Sequence, residues 1–239
     1  MLPQPVLAAI SLLCGVVTGL ALNRLLKRRL AAERFFPRRG RPGSPGAGTP
    51  RALLLFNPLL AGLGALALAF LPGLQSPPAL LQALLLWCLL YPLAVVDLLT
   101  LTVEAPLLLA GLALQVAFML IWQPALALDM VGGMLGGAGL LYLVGFAFRT
   151  LRGREGLGEG DAAVMALIGA FVGWQGLLPV VLLASVTGLL VGFPTLLALR
   201  KPLHTPLPFA PFLCVAGLAI HLLQAGGWRV FGLLPALAG

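Results

Sequence analysis

The sequence predicts an all-α, polytopic integral membrane protein with about eight transmembrane helices. Composition carries the first half of that reading. Of 239 residues, 60% are hydrophobic and 9% charged, with a mean hydropathy of +1.06. A soluble domain carries about 25% charged residues, so this chain has too little polar surface to face water. Length carries the second half. Apolar runs of about 20 residues recur along the chain, and that is the length a helix needs to cross hydrocarbon.

Eight such runs are legible, at roughly 4–22, 52–71, 79–97, 105–122, 127–148, 161–177, 178–199 and 208–224. The first has no basic residues before it and many after it, so it reads as a retained membrane helix rather than a signal peptide. The fifth opens on Asp129, read as a helix cap or packing polar group. It is interrupted by Gly132, Gly133, Gly136, Gly137 and Gly139, small residues that let helices pack closely in lipid. The sixth and seventh are expected to form an antiparallel hairpin turning around Gly176–Pro179. Cys14, Cys88 and Cys214 lie in separate apolar runs. They show no C-x-x-C spacing, so they predict core packing and neither a disulfide framework nor a metal site.

Between the runs, charge sets orientation. Basic residues cluster at 24–51, 149–154 and 200–201, and only Arg229 of the fifteen lies elsewhere. By the positive-inside rule those loops are cytoplasmic. Three regions follow: a first transmembrane helix (1–23), a basic Arg/Pro/Gly-rich cytoplasmic loop (24–51) and a membrane-embedded core (52–239). The loop reads as a disordered segment that hugs lipid and fixes topology. Beyond Phe35-Phe36 it has no interleaved aromatics for stacking bases, so lipid is an expected partner and nucleic acid is not.

Acids are scarce: Glu33, Asp97, Glu104, Asp129, Glu155, Glu159 and Asp161. An ionisable residue at the mouth of an apolar helix is a functional-site hypothesis by default. Asp97 ends one run, and Asp161 opens another within Gly158-Glu159-Gly160-Asp161. The two glycines are expected to adopt backbone conformations closed to other residues and to admit close approach of another chain. On the topology above, both aspartates lie at the cytoplasmic side. Two carboxyl groups held close do not both ionise easily, so the pair can keep one proton between them. The charged member then deprotonates a water while the protonated one polarises a peptide carbonyl. This is aspartyl-type proteolysis, which needs no metal and no cofactor. Taken singly, Asp161 also reads as a helix cap and Asp97 as an interfacial charge. His204 and His221 belong to no cluster with metal-ligand spacing, and Ser185 has no evident base.

The segment Glu155 to Gln175, with Gly158-Glu159-Gly160-Asp161 inside it, resembles the G-x-G-D segment of the bacterial type IV prepilin peptidase (leader peptidase) family. Val96-Asp97-Leu98 resembles that family's first catalytic Asp segment, and Pro208-Phe209-Ala210-Pro211-Phe212 its P-F-G-P segment. The resemblance covers most of 85–223, with a fainter echo in 11–40. It implies a membrane aspartic endopeptidase that removes the basic leader from type IV prepilins or pseudopilins in the bacterial cytoplasmic (inner) membrane. Carried over by position, Asp97 and Asp161 are the catalytic pair. Gly158, Glu159, Gly160, Glu104, Pro208, Phe209 and Pro211 are the expected substrate contacts, with the two glutamates drawing in a Lys/Arg leader. The chain departs from the family pattern at Val103-Glu104-Ala105 and at Ala163. It also lacks the paired cysteines of the family's cytoplasmic loop, in the region around Glu33 to Gly40. That loss predicts no bound zinc and no N-methyltransferase activity. Two other readings stay open: a catalytically impaired relative that binds pilin-like helices, and a small transporter whose Asp97 and Asp161 relay protons or a cation.

Topology is directly testable. With Cys14, Cys88 and Cys214 replaced, a cysteine at position 75 should react with an impermeant thiol reagent added to whole cells, and one at position 40 should not. The opposite pattern would invert the proposed orientation.

Overall fold

The computed structural model describes residues 3–35, 51–74, 76–152, 158–198 and 208–227. Among these residues it contains seven α-helices and no strand: α1 (Gln4–Phe35), α2 (Arg51–Leu68), α3 (Pro77–Thr100), α4 (Ala105–Trp122), α5 (Ala127–Arg152), α6 (Glu159–Ala198) and α7 (Ala210–Ala225). Five stretches are long and apolar enough to cross a membrane: Gln4–Arg28, Pro77–Thr100, Ala105–Trp122, Pro124–Leu151 and Gly160–Ala198. Phe56–Leu68 and Ala210–Ala225 are shorter apolar helices. An all-helical architecture is what hydrocarbon demands, because a helix satisfies its backbone polar groups within one segment.

The expected runs map onto these helices, with two corrections. The first helix does not stop near residue 22. It continues to Phe35, so residues 24–35 are helical rather than part of a disordered loop. Residues 36–50 lie outside the described residues. The expected sixth and seventh helices fall in one unbroken assignment, α6, whose interior break is at Gly173 (φ 68°, ψ 177°). The chain therefore turns at Gly173, not at Gly176–Pro179.

Two compact units divide the chain, Met1–Pro92 and Leu93–Gly239. In the first, α1 and α2 meet through small residues. Gly15 lies against the Ala61 backbone, and Gly19 against Asn57 and Pro58. The ring of Trp87 fills the space beside Gly64, and its indole N–H donates to the Ala61 carbonyl at 3.1 Å. Asn57 is fully buried. Its amide donates to Asn23 Oδ1 at 2.9 Å, and the Tyr91 hydroxyl reaches its Oδ1 at 3.2 Å. Buried amides in an apolar setting need such partners.

In the second unit the course of α6 follows from what each part touches. Ile168 packs against Gly217, and Gln224 bonds Val172 at 3.0 Å. The first limb thus runs parallel to α7. Beyond the break, Gly176 lies near Gln224, and Gly188 lies near Phe209 and Phe212. The second limb thus runs antiparallel to α7, and the two limbs form a hairpin with Gly173 at its tip. A helical hydrogen bond from residue i to i+4 needs regular dihedrals at the three residues between. Breaking the helix at Gly173 therefore strands the carbonyls of Ala170, Phe171 and Val172, together with the N–H groups of Trp174, Gln175 and Gly176.

Four of these six groups meet a side chain from another helix. Gln115 of α4 donates its Nε2 to the Ala170 carbonyl at 3.0 Å. The His221 imidazole of α7 hydrogen-bonds the backbone of Phe171 and sits edge-on to its ring, with centroids 6.1 Å apart. Gln224 of α7 donates to the Val172 carbonyl. Asp129 of α5 accepts the Trp174 N–H at 3.3 Å. Asp129 is thus a cap, as expected, but of the second limb of α6 rather than of its own helix. Gly133 and Gly169 pack backbone to backbone just before the tip.

Gly173→Ala should therefore lower stability more than Gly227→Ala. Both glycines have left-handed φ, 68° and 83°, a conformation that costs a residue with a Cβ about 1–2 kcal/mol. A Cβ at 173 would also collide with the Asp129 carboxylate, whereas one at 227 meets nothing within 4 Å. Loss of the Asp129 hydrogen bond should add about 1–3 kcal/mol. Thermal unfolding in detergent measures both; equal losses would refute the cap.

Candidate active site

The site is assembled where the end of α3 meets the starts of α4, α6 and α7, all within the second unit. α3 ends at Thr100, whose hydroxyl donates back to Val96 at 2.8 Å. Asp97 lies in the last turn and is 6% exposed. Leu101 then takes a left-handed φ of 51°, which reverses the chain within Leu101–Glu104 and starts α4 at Ala105. Val103, from this tight turn, lies against Gly160.

Gly158 is the N-cap of α6, and Asp161 is its third residue. The Asp161 side chain reaches back to the Gly158 N–H at 3.2 Å, while its own N–H donates to the Gly158 carbonyl at 3.1 Å. This is the acidic half of a capping box, and it fixes the rotamer of a half-buried carboxylate. The expectation for the two glycines needs correction, since neither has a left-handed φ. Gly160 is required by contact instead: a Cβ there would lie 2.6 Å from Val103 Cγ2. At Gly158 a Cβ would meet nothing closer than Asp161 Oδ2 at 3.5 Å.

The structure brings Asp97 and Asp161 within electrostatic reach of each other. Ala210, at the start of α7, has its backbone beside both carboxylates. Oδ2 of Asp97 is buried and has no hydrogen-bond partner among the described residues. A buried carboxylate oxygen without a partner is costly, and it is the atom suited to hold a shared proton or a reacting water. The buried thiol of Cys214, one turn into α7, is in electrostatic reach of both aspartates. Cys14, Cys88 and Cys214 are all free. Among the described residues no cluster of three or more His, Cys, Asp and Glu could hold a metal ion.

The other expected site residues are placed unevenly. Pro208 and Phe209 are half-buried just before α7, and Pro211 is buried in its first turn. Glu104 is 5% exposed, at the N-cap position of α4, so it is a buried carboxylate rather than a loop charge. Glu159 is the first residue of α6. Gln115 and Gln224 escaped the sequence reading, although a Gln inside an apolar run is a signal for a buried backbone partner.

The Val103–Gly160 contact predicts a coupled pair. Gly160→Ala should destabilise by about 1–3 kcal/mol through overpacking. Val103→Ala in the same chain should recover most of that loss, giving a coupling above about 0.5 kcal/mol. Gly158→Ala should be nearly neutral. Additive losses in the thermal unfolding of the three variants would show that the contact is absent.

Comparison with known proteins was made against this geometry. Residues 83–193 match the Type IV leader peptidase family, a range that includes both aspartates. A prepilin leader peptidase/N-methyltransferase of Dickeya chrysanthemi is 38% identical over 177 residues, covering 71% of this chain and 60% of that protein. The protein of the same name from Pectobacterium carotovorum subsp. carotovorum is 36% identical over 159 residues, covering 66% and 55%. That from Aeromonas hydrophila is 39% identical over 89 residues, covering 37% and 31%. The chain thus spans between about a third and three fifths of the length of these relatives. No solved structure gives a significant match.

Proposed function

Because the chain belongs, through residues 83–193, to the type IV leader peptidase family, we propose that it is a membrane aspartic endopeptidase. Its substrates are type IV prepilin or pseudopilin precursors, cut between a basic leader and an apolar helix at the cytoplasmic face of the bacterial inner membrane. The observation that carries the reading is the approach of Asp97, buried at the end of α3, and Asp161, in the first turn of α6, to within electrostatic reach of each other. The family match and the names of the relatives support the substrate class.

The chemistry follows from two carboxyl groups sharing one proton. The charged carboxylate takes a proton from a water, and the oxygen of that water bonds to the scissile carbonyl carbon. The protonated partner hydrogen-bonds the carbonyl oxygen and stabilises the charge developing there. Collapse of the tetrahedral intermediate breaks the C–N bond, and the proton taken from water passes to the leaving amine. Such a pair acts and titrates as a unit, so acid and base roles are not divided between Asp97 and Asp161.

For the substrate, the leader follows Gly158, Glu159 and Gly160 and approaches Pro208, Phe209 and Pro211. Irregular backbone at this depth is tolerated where it lines a cavity. Glu159 supplies negative charge for Lys and Arg of the leader, a role that the burial of Glu104 denies to that residue. Residues 24–51 contain no Cys, so the thiolate ligands of a structural zinc site are missing from that segment, and the proposal includes cleavage without methyl transfer.

Co-expression with a prepilin and mass spectrometry of its new N-terminus tests all of this. The wild-type chain should give a shortened, unmethylated product. Asp97→Asn and Asp161→Asn should each reduce cleavage by on the order of 10²–10⁴-fold at matched protein levels. The double variant should be no worse, since groups that act as a unit are non-additive. Near-normal cleavage by Asp161→Asn would sink the aspartyl reading. If neither Asp affected cleavage but both affected proton or cation flux, a transporter would replace it.

A further inference from the structure

Asp97 and Asp161 stand on different helices, so something must fix their spacing. The turn that follows α3 touches the backbone beside both. Leu101 enters it with a left-handed φ of 51°, which is unfavourable for any residue with a Cβ. Backbone strain of this kind persists only where the surroundings hold it, and it clusters at functional sites. Two ties hold this turn. The Leu101 N–H donates to the Asp97 carbonyl at 2.8 Å. The Thr100 hydroxyl donates to the Val96 carbonyl at 2.8 Å and lies 2.6 Å from the Thr102 hydroxyl. A hydroxyl has one proton to give, so Thr102 is the donor in that second bond. The turn is thereby fastened to the peptide groups on both sides of Asp97.

At its far end the turn meets α6. Val103 lies over Gly160, where a Cβ would be 2.6 Å from Val103 Cγ2 and 3.1 Å from its Cβ. A residue without a side chain is what lets Val103 rest there. Gly160 immediately precedes Asp161, whose carboxylate is held by the Gly158 N–H at 3.2 Å. A continuous series of contacts therefore runs from Asp97 through Leu101, Thr102 and Val103 to Gly160 and Asp161. Val103 is the link that crosses from one chain segment to the other. Its branched Cβ makes it stiff at χ1, so the link has little freedom.

We infer that the Leu101–Glu104 turn is a clasp that sets the spacing of the two aspartates, with Val103 as its positioning residue and the Thr100–Thr102 hydroxyl pair as its brace. Val103 acts through Gly160 and requires no contact with substrate. The inference rests on the reading of Asp97 and Asp161 as the catalytic pair and adds what keeps them in register.

Kinetics of prepilin cleavage by monodisperse protein in lipid nanodiscs separate positioning from stability. Val103→Ala should lower kcat by on the order of ten- to a hundredfold, because small misplacements of reacting groups are costly, with KM unchanged. Val103→Thr keeps both branches at Cβ and should retain kcat near the wild-type value. Thr102→Val keeps the side-chain shape and removes only the hydroxyl; it should lower kcat in the same direction. A lowered melting temperature with unchanged kcat in Val103→Ala and Thr102→Val would overturn the inference. If Val103→Ala does not fold, Thr102→Val decides by the same criterion.

A second readout does not depend on catalysis. With Cys14, Cys88 and Cys214 replaced by Ala, a chain carrying Asp97→Cys and Asp161→Cys should be joined by a short bis-methanethiosulfonate reagent. Adding Val103→Ala should slow that cross-link several-fold, and adding Val103→Thr should not. Equal rates in the two would overturn the clasp. Full cleavage by both Asp97→Asn and Asp161→Asn, with the cross-link still slowed by Val103→Ala, would overturn the catalytic reading alone.

Discussion

Hydrocarbon offers no hydrogen bonds, and the break in α6 at Gly173 is where this protein has to answer that constraint. Turning a helix back on itself inside an apolar unit strands three carbonyls and at least one N–H. The described structure answers with Gln115, Asp129, His221 and Gln224, drawn from α4, α5 and α7. Interhelical hydrogen bonds in membranes contribute about 0.6 kcal/mol each on average, so none of the four is large by itself. Their importance is that leaving any one unmade would place a bare peptide group in a medium that cannot solvate it. The tip thus joins α4, α5, α6 and α7, and Asp161 sits at the other end of the first limb of α6.

That weld explains why the site can be built from helix ends. Ends are where a helix has spare donors, and here three starts and one finish converge. Asp161 spends one oxygen on capping α6, which locks its rotamer. Val103 against Gly160 holds the α3–α4 turn to the same point. The two acids are then set by backbone geometry more than by side-chain neighbours. This suits the proposed catalytic role of the pair, since preorganised groups need no rearrangement during reaction.

Much of this was legible in the sequence because the relevant signals are chemical and sparse. Seven acids in a chain this apolar leave few candidates, and both Asp97 and Asp161 fall at the ends of apolar runs. Helix spans were legible for the same reason, and α4 coincides with its expected run of 105–122. The hairpin was legible as a hairpin but not its tip. Gly173, Gly176 and Pro179 all permit a turn, and only the placement of Asp129 on the Trp174 N–H selects the first. The continuation of α1 to Phe35 was hidden because basic residues, read as marking a loop, are good helix formers once outside lipid.

The order in which the weld is made has a consequence for biogenesis. Chains emerge N-terminus first, so α4, α5 and both limbs of α6 are synthesised before α7. At that stage Gln115 and Asp129 are already available, but His221 and Gln224 are not. The carbonyls of Phe171 and Val172 then face the bilayer interior or a neighbouring helix without their partners. Closure of the hairpin tip therefore waits for the same sixteen-residue helix, so the unit that holds Asp97 and Asp161 is completed only when the last described helix docks.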